Sequence, residues 1–410
     1  MRRTIFLIVL VFLPAEINFQ AKDFSDVKTE SKQVKISSTA PWSQRIADSF
    51  ILRHPADIIN DSTYHNKWTY DQGVVLEGLQ QLWNHTHSKK YFDYIKTNMD
   101  QYISGDGGIK KYKYSEYTLD NITPGRQLLF LYKKTKENKY KIAADTLRKQ
   151  ISFQPRTKSG GFWHKMIYPH QMWLDGLYMC EPFYAEYSRV FNEPKNFEDI
   201  IHQFILIEKK TRDPKTGLLY HAWDESKQQK WADSVTGTSH IFWGRAMGWY
   251  AMALVDVLDF IPRNNPRRKE LITILQNFCD ALLKYRDPQS KVWFQVVDQY
   301  DRKGNFPESS ASCMFTYTFA KAANKGYVKK DFLKRAKESF DGIIKTFVTI
   351  DKDGYVNLNK TVDGIGLGGN PYRDGSFEYY TGVRVKSNDL RALGPFILSA
   401  LELEKAKVLK

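Results

Sequence analysis

The chain has 410 residues, 42% of them hydrophobic, which is enough to bury a large core, and it carries a formal net charge of +15. Its lysines and arginines are dispersed and fit no nucleic-acid-binding motif. That argues against a nucleic-acid partner and leaves a basic surface suited to an acidic glycan. Cys180, Cys279 and Cys313 lack the spacing of a disulfide framework or a zinc site and read as buried free thiols.

The N-terminus reads as a secretory signal. Arg2 and Arg3 precede an apolar run from Ile5 to Leu13, which is too short to span a bilayer. Cleavage is expected near Ala21, giving residues 1–21 as signal and 22–410 as one catalytic domain, exported to a bacterial periplasm. No later stretch is long enough to cross a membrane, and no cysteine follows the apolar run to take a lipid anchor. After a first candidate helix near 42–54, apolar helices are expected near 72–83, 124–133, 174–189, 244–259, 311–322 and 389–404. More charged helices are expected between them, near 90–103, 137–150, 194–209, 266–285 and 329–347. A helix apolar on every side is buried, and one with a charged face is peripheral. The alternation therefore predicts an all-α (α/α)6 barrel, with six inner and six outer helices and loops converging on one mouth. The loop Asp363–Asn370 is rich in glycine, but it follows no predicted strand and lacks the Lys-Ser/Thr ending of a phosphate cradle.

Asp175 stands out because Trp173, Leu174, Leu177 and Tyr178 surround it with apolar bulk. A lone carboxylate in such a run must be paired, neutralised or in use, and a carboxyl group in apolar surroundings suits a general acid. A structural carboxylate bonded to backbone donors is the alternative. Asp120 precedes Thr123-Pro124, so its local pattern reads first as a helix N-cap. His221 shares a loop with Trp223 and Asp224. Arg245 opens an apolar helix, where it would either pair with an aspartate or clamp a ligand carboxylate through its fork; Trp243 and Trp249 offer faces for a sugar ring. Substrate-binding residues are expected at His221, Trp243, Arg245, Trp173, Lys165 and Trp249. No HExxH, GxSxG or Cys–His signal is present, so no metal and no cofactor is expected, and carboxylate acid/base chemistry remains.

Several segments together resemble the unsaturated rhamnogalacturonyl hydrolases of glycoside hydrolase family 105. They are Leu119–Arg126, His170–Met179, Tyr220–Asp224, Phe242–Trp249, Pro307–Ser312 and Gly364–Gly368. The resemblance runs from about Trp68 to the C-terminus and implies an (α/α)6 fold. It also implies removal of a 4,5-unsaturated uronic acid from the non-reducing end of oligosaccharides that lyases produce. Asp175 matches the family's acid/base and Asp120 its second carboxylate; His221, Trp243 and Arg245 resemble members of its pocket. Other readings stay open: an unsaturated glucuronyl hydrolase acting on ulvan or glycosaminoglycan fragments, a glycosidase for saturated chains, and a secreted glycan-binding protein without turnover.

Overall fold

The structure, a computed structural model, describes residues 36–55, 58 and 67–409. The expected signal segment, 1–21, lies outside the described residues. In chain order the helices are α1 (Trp42–Arg53), α2 (Tyr70–Thr86), α3 (Lys89–Asp100), α4 (Gly125–Thr135), α5 (Asn138–Phe153), α6 (Leu174–Val190), α7 (Asn196–Thr211), α8 (Gly244–Val257), α9 (Arg268–Lys284), α10 (Ser309–Asn324), α11 (Asp331–Phe347), α12 (Phe377–Gly382) and α13 (Leu390–Lys405). None of the helices among the described residues is long and apolar enough to cross a membrane.

Burial sorts these helices into two layers. Every residue of α8 is buried, as is α6 from Leu174 to Ser188. By contrast, α11 buries a stripe containing Phe332, Ala336, Phe340, Ile343 and Phe347, and its remaining face meets water. Contacts between neighbours close a ring in the order α2, α4, α6, α8, α10, α13 and back to α2, while α3, α5, α7, α9, α11 and α1 back the ring from outside. This is the expected (α/α)6 barrel. The three cysteines are buried and free.

Where last meets first, α13 lies directly on the backbone of α2. A Cβ on Gly394 would sit 2.4 Å from the Val74 carbonyl oxygen and 2.8 Å from its carbon. Backbone atoms have no rotamer through which to yield. Gly394→Ala should therefore cost about 1–3 kcal/mol, read as a lower denaturant midpoint at unchanged slope. An unshifted midpoint would mean that the ring closes less tightly than this. Inside the ring Arg126 reaches Glu77 at 2.9 Å and Asp256 at 3.1 Å, and Lys321 reaches Asp256 at 2.6 Å. This buried network joins α2, α4, α8 and α10. Such networks specify a mutual arrangement more than they add net stability.

Three short antiparallel ribbons, which helical periodicity could not reveal, decorate the mouth: β1 (Gln171–Trp173) with β2 (Ala222–Asp224), β3 (Val348–Ile350) with β4 (Val356–Leu358), and β5 (Thr361–Val362) with β6 (Val385–Lys386). The first positions the site. Trp173 pairs with Ala222, and the Leu174 amide donates to the His221 carbonyl at 3.0 Å. His221 is thereby fixed beside the first turn of α6.

Candidate functional site

The polar groups collect at the N-terminal ends of the inner helices. Asp175 occupies the first turn of α6 and is 9% exposed. Its Oδ2 lies 3.2 Å from His221 Nε2, although neither atom makes a hydrogen bond among the described residues. The Nδ1 of His221 lies 2.7 Å from the hydroxyl of Tyr380. Burial, then the nearby Tyr379 and Asp175, push the Tyr380 phenol well above its usual range, so it keeps its proton. Among the described residues no backbone donor holds Asp175.

Asp120 lies in a single 3-10 turn, Leu119–Asn121, ahead of α4. It does not cap that helix, whose cap position is Pro124 and which has no side-chain cap. Its Oδ2 instead accepts from Lys165 Nζ at 2.5 Å, and its Oδ1 lies 3.5 Å from His164 Nε2. Burial opposes the charge on Asp120, but Lys165, His164 and Arg391 together outweigh it and hold the carboxyl below its ordinary range. Burial likewise opposes the charge on Lys165, and Asp120 outweighs it. The ammonium–carboxylate pair therefore persists at neutral pH.

Between the two carboxylates sits His164, a residue the sequence did not single out. Burial pushes its imidazole down to about 4, against the opposing charges of Asp120 and Asp175. It is neutral at pH 7, and its Nδ1 has no hydrogen-bond partner among the described residues. A depressed value means that its stability contribution is complete above the unfolded value of 6.5 and is lost as pH falls towards about 4. The loss over that window is about 3 kcal/mol. His164→Phe should flatten this acid limb when urea unfolding is compared at neutral and acid pH. An equal pH dependence in the two proteins would mean that the imidazole ionises freely in the fold.

The tryptophans differ from expectation. Trp249 is 1% exposed, stacked on Tyr178 at 4.8 Å and edge-on to Tyr70 at 6.2 Å, so no face is left for a sugar. Trp173 stacks on His164 at 4.7 Å and on Tyr168 at 4.6 Å. Trp243 meets the His221 ring at 4.7 Å and carries the Arg245 guanidinium 5.0 Å from its ring centre. These rings frame the carboxylates; a bare indole face at the mouth would forfeit the burial that holds the inner helices together. Arg245 turns to the backbone: its Nη1 and Nη2 donate to the carbonyls of Val362 and Asp363, which gives an almost fully buried guanidinium two acceptors. Asp224 accepts from the amides of Ser226, Gln228 and Gln229, and so shapes its own loop. Glu308 caps α10 through the Ala311 amide and accepts from Val362 in β5.

A cavity of about 590 Å³ opens beside Asp120, with Lys165, Lys67, Lys111, Lys113 and Ile167 among its walls. That volume suits a small ligand. A larger groove, about 890 Å³, lies at the opposite, C-terminal ends of α6, α8 and α10, where Arg189, Arg268 and Lys325 complement the helix dipoles. It contains neither Asp120 nor Asp175. Among the described residues no group of three or more His, Cys, Asp or Glu could hold a metal ion.

Comparison with known proteins places this geometry. The sequence pattern of Glycosyl Hydrolase Family 88 matches residues 42–407. A solved glycoside hydrolase of family 105 from C. acetobutylicum ATCC 824 is 47% identical, with a TM-score of 0.86, covering 89% of this chain and 100% of that one. The unsaturated rhamnogalacturonyl hydrolase YesR of Bacillus subtilis is 30% identical over 251 residues, 60% of this chain and 68% of its own length. An unsaturated glucuronyl hydrolase from Bacillus sp. GL1 shares the fold at 11% identity, with a TM-score of 0.65, covering 90% of this chain and 98% of that one.

Proposed function

Because the chain belongs to glycosyl hydrolase family 88, and is therefore a glycoside hydrolase, we propose that it releases a 4,5-unsaturated uronic acid from the non-reducing end of lyase-generated oligosaccharides. Rhamnogalacturonan fragments are the favoured source, supported by the similarity to YesR. The observation that carries the reading is the pair of unlike carboxylates at one mouth. Asp175 faces His221 without a full hydrogen-bond set, and Asp120 is held ionised against Lys165.

The substrate is an enol ether, since its C4=C5 double bond carries the ring oxygen. Asp175 protonates C4, which leaves an oxocarbenium-like centre at C5. Water adds at C5, and the Asp175 carboxylate takes the proton that the water loses. The resulting hemiketal opens to a ketone at C5, and the hemiacetal left at C1 expels the remaining sugar chain as an alcohol. His221, held by Tyr380, orients Asp175; the charge of Asp120 stabilises the cationic centre and positions the water. No nucleophile at C1 is needed, so the carboxylate spacings of ordinary glycosidases do not apply. Residues 1–21 are read as an export signal, which would place this chemistry in the periplasm.

Pectic, ulvan and glycosaminoglycan lyase digests, each followed by absorbance of the conjugated double bond, test the reading. Loss of absorbance in the pectic digest is expected. Loss only in another digest moves the substrate class, and new reducing ends without loss of absorbance in any digest would sink the uronyl hydrolase reading.

A further inference from the structure

We infer that Arg373, cradled by the glycine-rich loop, is the anchor for the carboxylate of the unsaturated uronate; this rests on the uronyl hydrolase reading above. A uronate buried at this mouth needs a part-buried cation that is not already neutralised, which sets aside the exposed Lys67, Lys111 and Lys113 of the cavity beside Asp120. Lys165 is paired with Asp120, and Arg126 with Glu77 and Asp256. Arg391 is paired with Asp71, Asp389 and Asp363; Arg245, like Arg373, meets only neutral acceptors, but at 1% exposure it is closed to a ligand. Arg373 makes no ion pair among the described residues, although it is only partly exposed.

The guanidinium is nonetheless rigidly placed. Its Nε donates to the Gly368 carbonyl at 2.7 Å, and its Nη2 donates to the Tyr168 hydroxyl at 3.0 Å and the Leu367 carbonyl at 3.2 Å. Reciprocal backbone hydrogen bonds between Gly368 and Arg373, at 2.9 and 3.2 Å, close the loop around it. A Cβ on Gly366 would lie 2.4 Å from Nη1, and one on Gly369 2.8 Å from Nη2. The glycines that resemble a phosphate cradle in sequence are thus there to let a guanidinium lie flat against the backbone. Nη1 keeps its donors, and all the groups that hold the side chain are neutral, so the positive charge remains uncompensated. Its place is at the catalytic mouth. Tyr168 stacks on Trp173, next in chain to α6, and the like charge of Arg373 is felt by Lys165. Pre-organised, unneutralised and hydrogen-bonded on one side, this is the arrangement by which arginine recognises carboxylates.

The test compares an unsaturated uronyl disaccharide with its methyl ester, which keeps the enol ether and removes the charge. The ratio of kcat/KM between acid and ester is followed for the wild-type enzyme, Arg373→Met and Arg373→Lys. Wild type should prefer the acid by about 100-fold, as expected for a buried charge-assisted contact. Arg373→Met should collapse that ratio to within about threefold of unity, chiefly through KM, and Arg373→Lys should restore part of it. Loss of folded enzyme lowers both rates together and cannot move the ratio. An unchanged ratio in Arg373→Met would overturn the assignment while leaving the proposed reaction intact. A wild-type enzyme that turns over neither compound would overturn the reaction, and the assignment with it.

Discussion

Asp175→Asn should abolish turnover of an unsaturated disaccharide, with kcat falling by a factor of about 10³ or more, while circular dichroism and the melting profile stay close to wild type. The amide occupies the same volume and keeps a polar group opposite His221, so the fold has no reason to fail. It has no acidic proton to give to C4 and no basic oxygen to take one from water, so the same substitution removes both halves of the cycle. The 3.2 Å contact with His221 Nε2 sharpens the expectation, because the Asn amide leaves a neutral polar group of the same shape at that contact. Wild-type rates in Asp175→Asn would remove it from the chemistry.

Asp120→Asn should be the second largest loss, with kcat down by about 10²–10³ and KM changed far less, as befits charge stabilisation in the transition state. Its physical basis is the ionised pair with Lys165. Without the carboxylate, Lys165 becomes an unneutralised cation beside a developing positive centre, an unfavourable juxtaposition. Lys165→Met separates two explanations. If Asp120 acts by its own charge, removing Lys165 alone should cost much less than removing Asp120. Equal losses from both substitutions would mean that the pair acts by holding the loop together and not by electrostatics.

The ring of helices was legible in the chain because its signal is local. Whether a helix is buried is written in residues three and four positions apart, so α6 and α8 declare themselves inner helices and α11 an outer one without reference to any distant segment. Asp175 was legible for the same reason: an acid among large apolar neighbours is anomalous within a single turn. Asp120 was not. Its pattern is that of a cap, and the resemblance to a known family, not its neighbours, marked it as a site residue.

What surrounds those carboxylates was decided only by tertiary structure. Tyr380 meets His221 across 159 residues of sequence, and the β1–β2 ribbon that brings His221 to Asp175 is three residues long on each side, too short to leave a periodic trace. The commitment of Arg245 to two carbonyls, the closure of the tryptophan faces and the cradling of Arg373 have one cause. A buried polar or aromatic group takes whichever partner the packed ring brings within reach, and that choice depends on loop paths that no local pattern encodes.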